Sequence, residues 1–138
     1  MLFLSLLSSD EVLSLVRQLR TDFKPSQIVV DTTTGDPQQV VAVGKSLAEL
    51  EVSYLEATVA GSSAQITTGK VALFLGGDAD VVENVEPLLA AIASKHFHLG
   101  PVGAASRFKL VHNLVLGLHR AVLAEGLVLA ESLGFDQE

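Results

Sequence analysis

The chain has 138 residues, is 49% hydrophobic and 18% charged, and carries a net charge of −7. That length suits one domain with its own core, and its nine scattered Lys and Arg exclude the patterned basic footprint of a nucleic-acid binder. With no cysteine, disulfide frameworks and thiolate metal sites are excluded as well; a reducing cytoplasm is the expected compartment.

Residues 2–7 (LFLSLL) read as a short buried strand. They lack the basic start of a secretion signal. Ser9 or Asp10 is placed to cap a helix whose apolar stripe is Val12, Leu15, Val16 and Leu19. Lys24-Pro25 ends that pattern. Residues 27–31 (QIVVD) form a second buried strand, closed by Thr32-Thr33-Thr34-Gly35-Asp36-Pro37. Those hydroxyls can contact a ligand or simply satisfy the turn and cap the next helix. That helix is expected over residues 38–50, with Pro at an early position. A third strand follows at 52–57 and a small-residue loop at 59–64. A short helix is expected at 63–68, a fourth strand at 70–75, a helix at 81–94 with a kink at Pro87, and a fifth strand at 96–99.

Strands alternating with helices indicate an α/β layer with a largely parallel sheet. Ligands of such sheets bind outside the carboxyl ends of the strands. Ser8-Ser9, Thr32 to Thr34 and Ala60-Gly61-Ser62 all follow strand ends, which places three loops along one rim.

After Gly100-Pro101-Val102-Gly103 the pattern changes. Residues 104–133 read as one long helix, apolar almost all the way around, which calls for cover beyond what the sheet offers. No stretch reaches about 18 consecutive apolar residues, which argues against a membrane span. A second copy packed along 104–133, or further domains absent from these residues, is the expected partner, and residues 1–102 and 103–138 are the expected units.

Lys109 and Asn113 stand four apart, one turn apart on one face of that helix. A lysine on an apolar surface can have its pKa lowered and exchange a proton with substrate, and an asparagine can both donate to and accept from an acid or alcohol. The same pair is also what a snorkelling lysine and an internally bonded asparagine would look like. His112 and His119, seven apart, read as ordinary helix residues; His96 and His98 read as structural, for want of a third metal ligand. Gly61-Ser62 can let backbone N–H groups approach a carboxylate. No G-x-G-x-x-G follows a strand, so the phosphate-cradling turn of a dinucleotide site is not among these residues.

Five segments in register resemble the β-hydroxyacid dehydrogenase family, which includes 3-hydroxyisobutyrate dehydrogenase, tartronate semialdehyde reductase, glyoxylate/succinic semialdehyde reductases and, more distantly, 6-phosphogluconate dehydrogenase. Asp31 to Pro37 resembles D-x-S-T-x-x-P. Glu56 to Ser62 resembles D-A-P-V-S-G-G/S. Leu73 to Asp78 resembles the close of the family's next strand. Gly100 through Asn113 resembles G-x-V-G-x-G-x-x-x-K-x-x-x-N, and Glu125 to Ala130 resembles E-A/G-L-x-L-A. The resemblance implies a partial Rossmann-like sheet followed by the interdomain helix, and hydride transfer between NAD or NADP and a small β-hydroxy acid or aldehyde acid. It implies that Lys109 is the catalytic acid/base, that Asn113, Gly61 and Ser62 bind substrate, and that Thr34 approaches the nicotinamide.

The chain departs from the family at several positions. Ala60 replaces the motif's serine, Glu56 and Thr58 replace its Asp and Pro, and Ala105 replaces the second glycine before the lysine. Relative to the family the chain starts at the fourth strand of the dinucleotide domain and stops after the interdomain helix. These 138 residues are therefore expected to be inactive alone, or to serve as a dimerising module built on the apolar helix.

Overall fold

Runs of Val, Ile and Leu bounded by Ser, Thr, Gly and Asp make strands here, and longer runs with a period near 3.6 make helices. The computed structural model describes residues 1–136. In chain order its elements are β1 (Leu2–Leu4), α1 (Ser9–Gln18), β2 (Ile28–Asp31), α2 (Pro37–Ala48), β3 (Ser53–Ala60), α3 (Ser63–Ile66), β4 (Ala72–Gly76), α4 (Ala79–Ile92), β5 (Lys95–His98) and α5 (Ala104–Ser132). The α4 helix runs through Pro87 as one element.

The strands form one sheet in the order β1-β2-β3-β4-β5. The first three run parallel, β3 and β4 are antiparallel, and β4 and β5 are again parallel. The Rossmann-like, largely parallel sheet expected from the sequence is present, with one reversal. Its cause is the connection from Ala60 to Ala72, whose one helix, α3, has four residues, too short to carry the chain back along the sheet as a parallel crossover must.

Because β1, β2 and β3 share a direction, their carboxyl ends share an edge. The three expected loops do lie along that rim. Much of their hydroxyl chemistry is spent internally. Ser8, rather than Ser9 or Asp10, caps α1 by accepting from Glu11 N. Ser9 Oγ accepts from Asp36 N at 2.9 Å. Thr32 donates to Leu4 O at 2.9 Å, and Thr33 Oγ1 accepts from Leu6 N at 3.0 Å. This last bond takes Leu6 out of the ladder, so β1 ends earlier than its apolar run.

One face of the sheet packs Val30, Leu55, Leu73 and Leu75 against Val81, Val85 and Leu89 of α4. The other packs Val29 and Tyr54 against Val12 and Val16 of α1 and Val40, Val43 and Leu47 of α2. The alternation Val29/Val30 and Tyr54/Leu55 sends neighbours to opposite faces, as a strand must.

The first turns of α5 join the α1/α2 side. Phe108 and His112 meet the ring of Phe74 edge-on, with centroids 4.8 and 5.5 Å apart. Of the 29 residues of α5, the buried ones are Ala105, Ser106 and Lys109. At 1.5 Å per residue it is about 43 Å long, and its apolar residues beyond Lys109 stand in the open: Leu114 is 63% exposed and Val122 71%. By length and composition alone α5 is apolar enough to cross a membrane, although no apolar run in it is uninterrupted: a single charge breaks a run without lowering the average much.

Candidate functional site

The site forms where β3 ends against the second turn of α5, and a buried carboxylate fixes that junction. Glu56, on the α5-facing side of β3, is 2% exposed. One of its oxygens accepts from Gly103 N (2.9 Å) and Ala105 N (3.0 Å), and the other from Ser106 Oγ (2.7 Å). These are donors left over at a helix start, and a carboxylate there also meets the positive end of the helix dipole. Burial raises the Glu56 pKa against the downward pull of Ser106, Gly103 and Ala105. Glycine is needed opposite it, because a Cβ at Gly76 would sit 2.1 Å from Glu56 Oε2.

Lys109 follows one turn after this clamp. It is buried, and its Nζ donates to Val59 O at 2.6 Å. Burial lowers its pKa, so a neutral amine is more accessible than for an ordinary surface lysine. The two contacts tie α5 to β3 at both ends of the segment 56–59, and so set Lys109 relative to the loop that leaves the strand.

That loop begins at Gly61, where φ is 156° and a Cβ would lie 2.5 Å from Val71 Cγ1. Ser62 caps α3 in a capping box with Gln65. Between loop and helix lies a cleft of about 590 Å³, lined by Ala60, Gly61, Ser62, Gln65, Lys109, His112, Asn113, Leu116 and Arg120. Four sequence-predicted residues therefore meet in one place: Gly61, Ser62, Lys109 and Asn113. Thr34 does not line this cleft. It is exposed on the same rim, at the end of β2; its neighbours Thr32 and Thr33 have their hydroxyls engaged.

His112, read from sequence as an ordinary helix residue, lines the cleft and pairs with Asn113 Oδ1 at 3.2 Å. His98 bridges Gly77 O and Gly100 O, and His96 lies 3.6 Å from Glu86. Gln65, Leu116 and Arg120 were not singled out from sequence. Counting +3, +7 and +11 from Lys109 along one helical face would have found His112, Leu116 and Arg120. Glu56 was noticed only as a motif departure, although a lone carboxylate inside an apolar strand is itself a signal for a buried, bonded group.

The lining holds an arginine, a lysine and a histidine and no carboxylate, in a chain of net charge −7. It suits an anion. Gly61 leaves bare backbone at the border of the cleft, the kind of close approach a planar ring or a carboxylate would need. No Gly-rich turn for a pyrophosphate occurs in the sequence.

A half-sheet of this type whose carboxyl rim faces a lysine-bearing helix belongs to the dinucleotide-binding class of α/β domains. Residues 1–100 match the NAD binding domain of 6-phosphogluconate dehydrogenase, and the chain belongs to that family, among the β-hydroxyacid dehydrogenases. It is 32% identical over 115 residues to 2-(hydroxymethyl)glutarate dehydrogenase of Eubacterium barkeri, covering 83% of this chain and 38% of that protein. It is 34% identical over 116 residues to L-threonate dehydrogenase of Cupriavidus necator, covering 83% and 39%. The solved structure of Mycobacterium tuberculosis 3-hydroxyisobutyrate dehydrogenase with L-serine superimposes with a TM-score of 0.92 at 25% identity, over 98% of this chain and 46% of that one. The chain thus spans less than half the length of these relatives. NAD or NADP is the family's cofactor.

Proposed function

We propose that the cleft holds a small β-hydroxy acid, or the corresponding aldehyde acid, for NAD(P)-linked hydride transfer, with Lys109 as the acid/base. The observation that carries this is the placement of Lys109 Nζ at Val59 O, inside a cleft shared with Gly61, Ser62 and Asn113. The bound nicotinamide supplies or accepts the hydride. In the oxidation direction the neutral Lys109 amine keeps an N–H on Val59 O and uses its lone pair for the alcohol proton. In reduction the ammonium returns that proton to the carbonyl oxygen. Asn113 orients the hydroxyl, and Gly61 and Ser62 border the carboxylate. Ala60 has no hydroxyl to add, so carboxylate binding rests on fewer donors than in the resembled motif. Thr34, on the rim at the end of β2, borders the nicotinamide. The relatives are named for 2-(hydroxymethyl)glutarate, L-threonate and 3-hydroxyisobutyrate, all hydroxy acids, which supports the substrate class.

These 138 residues alone turn over no substrate in this reading, because pyrophosphate binding needs a helix start behind a Gly-rich turn and residues 1–102 supply only the second half of such a domain. The test is a chimera. The matched segment of the Cupriavidus L-threonate dehydrogenase is replaced by this chain's, and NADH- and NADPH-linked reduction of glyoxylate and succinic semialdehyde and oxidation of 3-hydroxyisobutyrate are followed. Turnover in the chimera, and none with the chain alone, is expected. A chimera that folds and binds NADPH but converts none of these acids would overturn the assignment.

A second role rests on the open apolar surface of α5. We propose that protein, not lipid, covers it, and that two copies of this chain pair along residues 104–133 in the cytoplasm. A strict monomer by light scattering at micromolar concentration would count against the pairing.

A further inference from the structure

The cleft extends past what a three- or four-carbon acid would use, and its far end is cationic. Arg120 stands eleven residues after Lys109, three turns on and only about 20° around the helix, with the two Cα atoms about 16 Å apart along the axis. Long helical side chains lean back toward the N-terminus, which carries the guanidinium toward Asn113 and Leu116 rather than away from them. Both Lys109 and Arg120 line the same cavity. Arg120 has no ion pair or hydrogen bond among the described residues; the paired Arg is Arg20, with Glu49. An arginine presents a planar fork of donors that matches a carboxylate two bonds at a time. In an acidic chain one would expect such a group to find a local partner; this one faces a cleft whose other lining residues carry no negative charge.

We infer that Arg120 is a specificity residue that reads a second carboxylate, so that the substrate is a dicarboxylic hydroxy or oxo acid rather than a simple monoacid. The first carboxylate lies by Gly61 and Ser62, the reacting carbon by Lys109, and the second carboxylate at Arg120, with Leu116 flanking the methylenes between. The inference rests on the function proposed above for the same cleft, but it can fail separately.

The experiment uses unreactive acids, so that it does not depend on turnover. The 138-residue chain, labelled with nitrogen-15, is titrated with glutarate and with butyrate while the backbone amides of Gly61 and Ser62 and the Nε–Hε of Arg120 are observed. Glutarate is expected to move all three and to bind at least tenfold more tightly than butyrate. Arg120→Leu is expected to remove that tenfold or greater advantage, as loss of a charge-assisted pair does, weakening glutarate far more than butyrate. Arg120→Lys should restore only part of it. Equal binding of the two acids, an Arg120 resonance that ignores glutarate, or no binding of either overturns the inference. If glutarate binds as described but the chimera converts no hydroxy acid, the enzymatic reading falls and the diacid site stands. If the chimera oxidises 3-hydroxyisobutyrate with no preference for diacids, the reverse holds.

Discussion

The two ends of α5 are built from similar residues and meet opposite fates. In its first two turns, polar Ser106 and Lys109 are 2% and 8% exposed, while farther along Leu118 and Val122 are 56% and 71% exposed. What is buried here is decided by reach of the sheet, not by hydropathy. The polar side chains go under because β3 offers each a partner, Glu56 for Ser106 and Val59 O for Lys109. The apolar ones stay out because no element of these residues extends to them. One end of the helix is an arm held against the sheet, and the rest is a surface in search of cover.

The largest effect that could break this contrast is at Lys109. Lys109→Met in the chimera should lower kcat/KM by about a hundredfold to ten-thousandfold, the range for removing a positioned acid/base, while the circular dichroism spectrum stays unchanged. Unfolding should move little or upward, since a desolvated ammonium is lost. The sign of the pH dependence follows from the lowered pKa. The native state binds this proton more weakly than the unfolded chain, so burial costs stability below the folded pKa and that cost fades as pH rises through the window up to the ordinary lysine value. The oxidation rate should rise with pH through the same lowered pKa. A profile whose rising limb sits at or above the ordinary lysine range would show that Lys109 is not the base.

Next in size is the clamp that holds the arm. Glu56→Gln keeps one oxygen for the amides of Gly103 and Ala105 but turns a donor toward Ser106 Oγ, which loses its carboxylate acceptor and is left with the longer bond to Gly103 O, at about 1–3 kcal/mol for a charge-assisted bond, measurable by urea unfolding. For a carboxyl whose folded pKa is raised, the native state holds the proton more tightly than the unfolded chain. That contribution to stability is full below the ordinary glutamate pKa and is lost as pH rises through the folded one. The variant should lack this slope. If Glu56→Gln unfolds like the parent at every pH, the junction does not depend on the carboxylate.

Much of this was legible before any coordinates. Period-2 and period-3.6 patterns located all ten elements within a few residues, because the core positions Val29, Val30, Leu55 and Leu73 follow the strand alternation directly. The register of five motifs brought Gly61, Ser62, Lys109 and Asn113 together. What remained hidden is non-local. The reversal at β4 turned on a connection length, the role of Glu56 on a helix start 47 residues away, and the internal use of Thr32 and Thr33 on carbonyl and amide groups of the first strand. The exposure of α5 could not be read at all, since an apolar stripe states that cover is needed and not who supplies it.

A smaller effect is expected at the loop that faces the arm. Gly61→Ala puts a Cβ 2.5 Å from Val71 Cγ1, and overpacking of this kind costs about 1 kcal/mol or somewhat more. The loop should yield before the core does. Acid binding, followed by thermal shift with 3-hydroxyisobutyrate, should therefore weaken more than global unfolding. An alanine variant with parental acid binding would separate Gly61 from the site.

The smallest effect on stability, and the sharpest test of the other half, is on the outward face of α5. Leu118 and Val122 lie about 180° and 220° around the helix from Lys109, so changing them leaves the cleft alone. The double variant Leu118→Glu, Val122→Glu changes two largely exposed side chains, and surface changes of this kind fall within about 0.5 kcal/mol. If two copies pair along this face, the parent's melting temperature should rise with protein concentration by mass action, and the variant's should not, with its scattering mass halved. A parent whose mass and melting temperature ignore concentration, and match the variant's, would mean that the exposed half of α5 does not pair with itself. Its cover would then have to come from another polypeptide segment, leaving the held half of the helix unchanged.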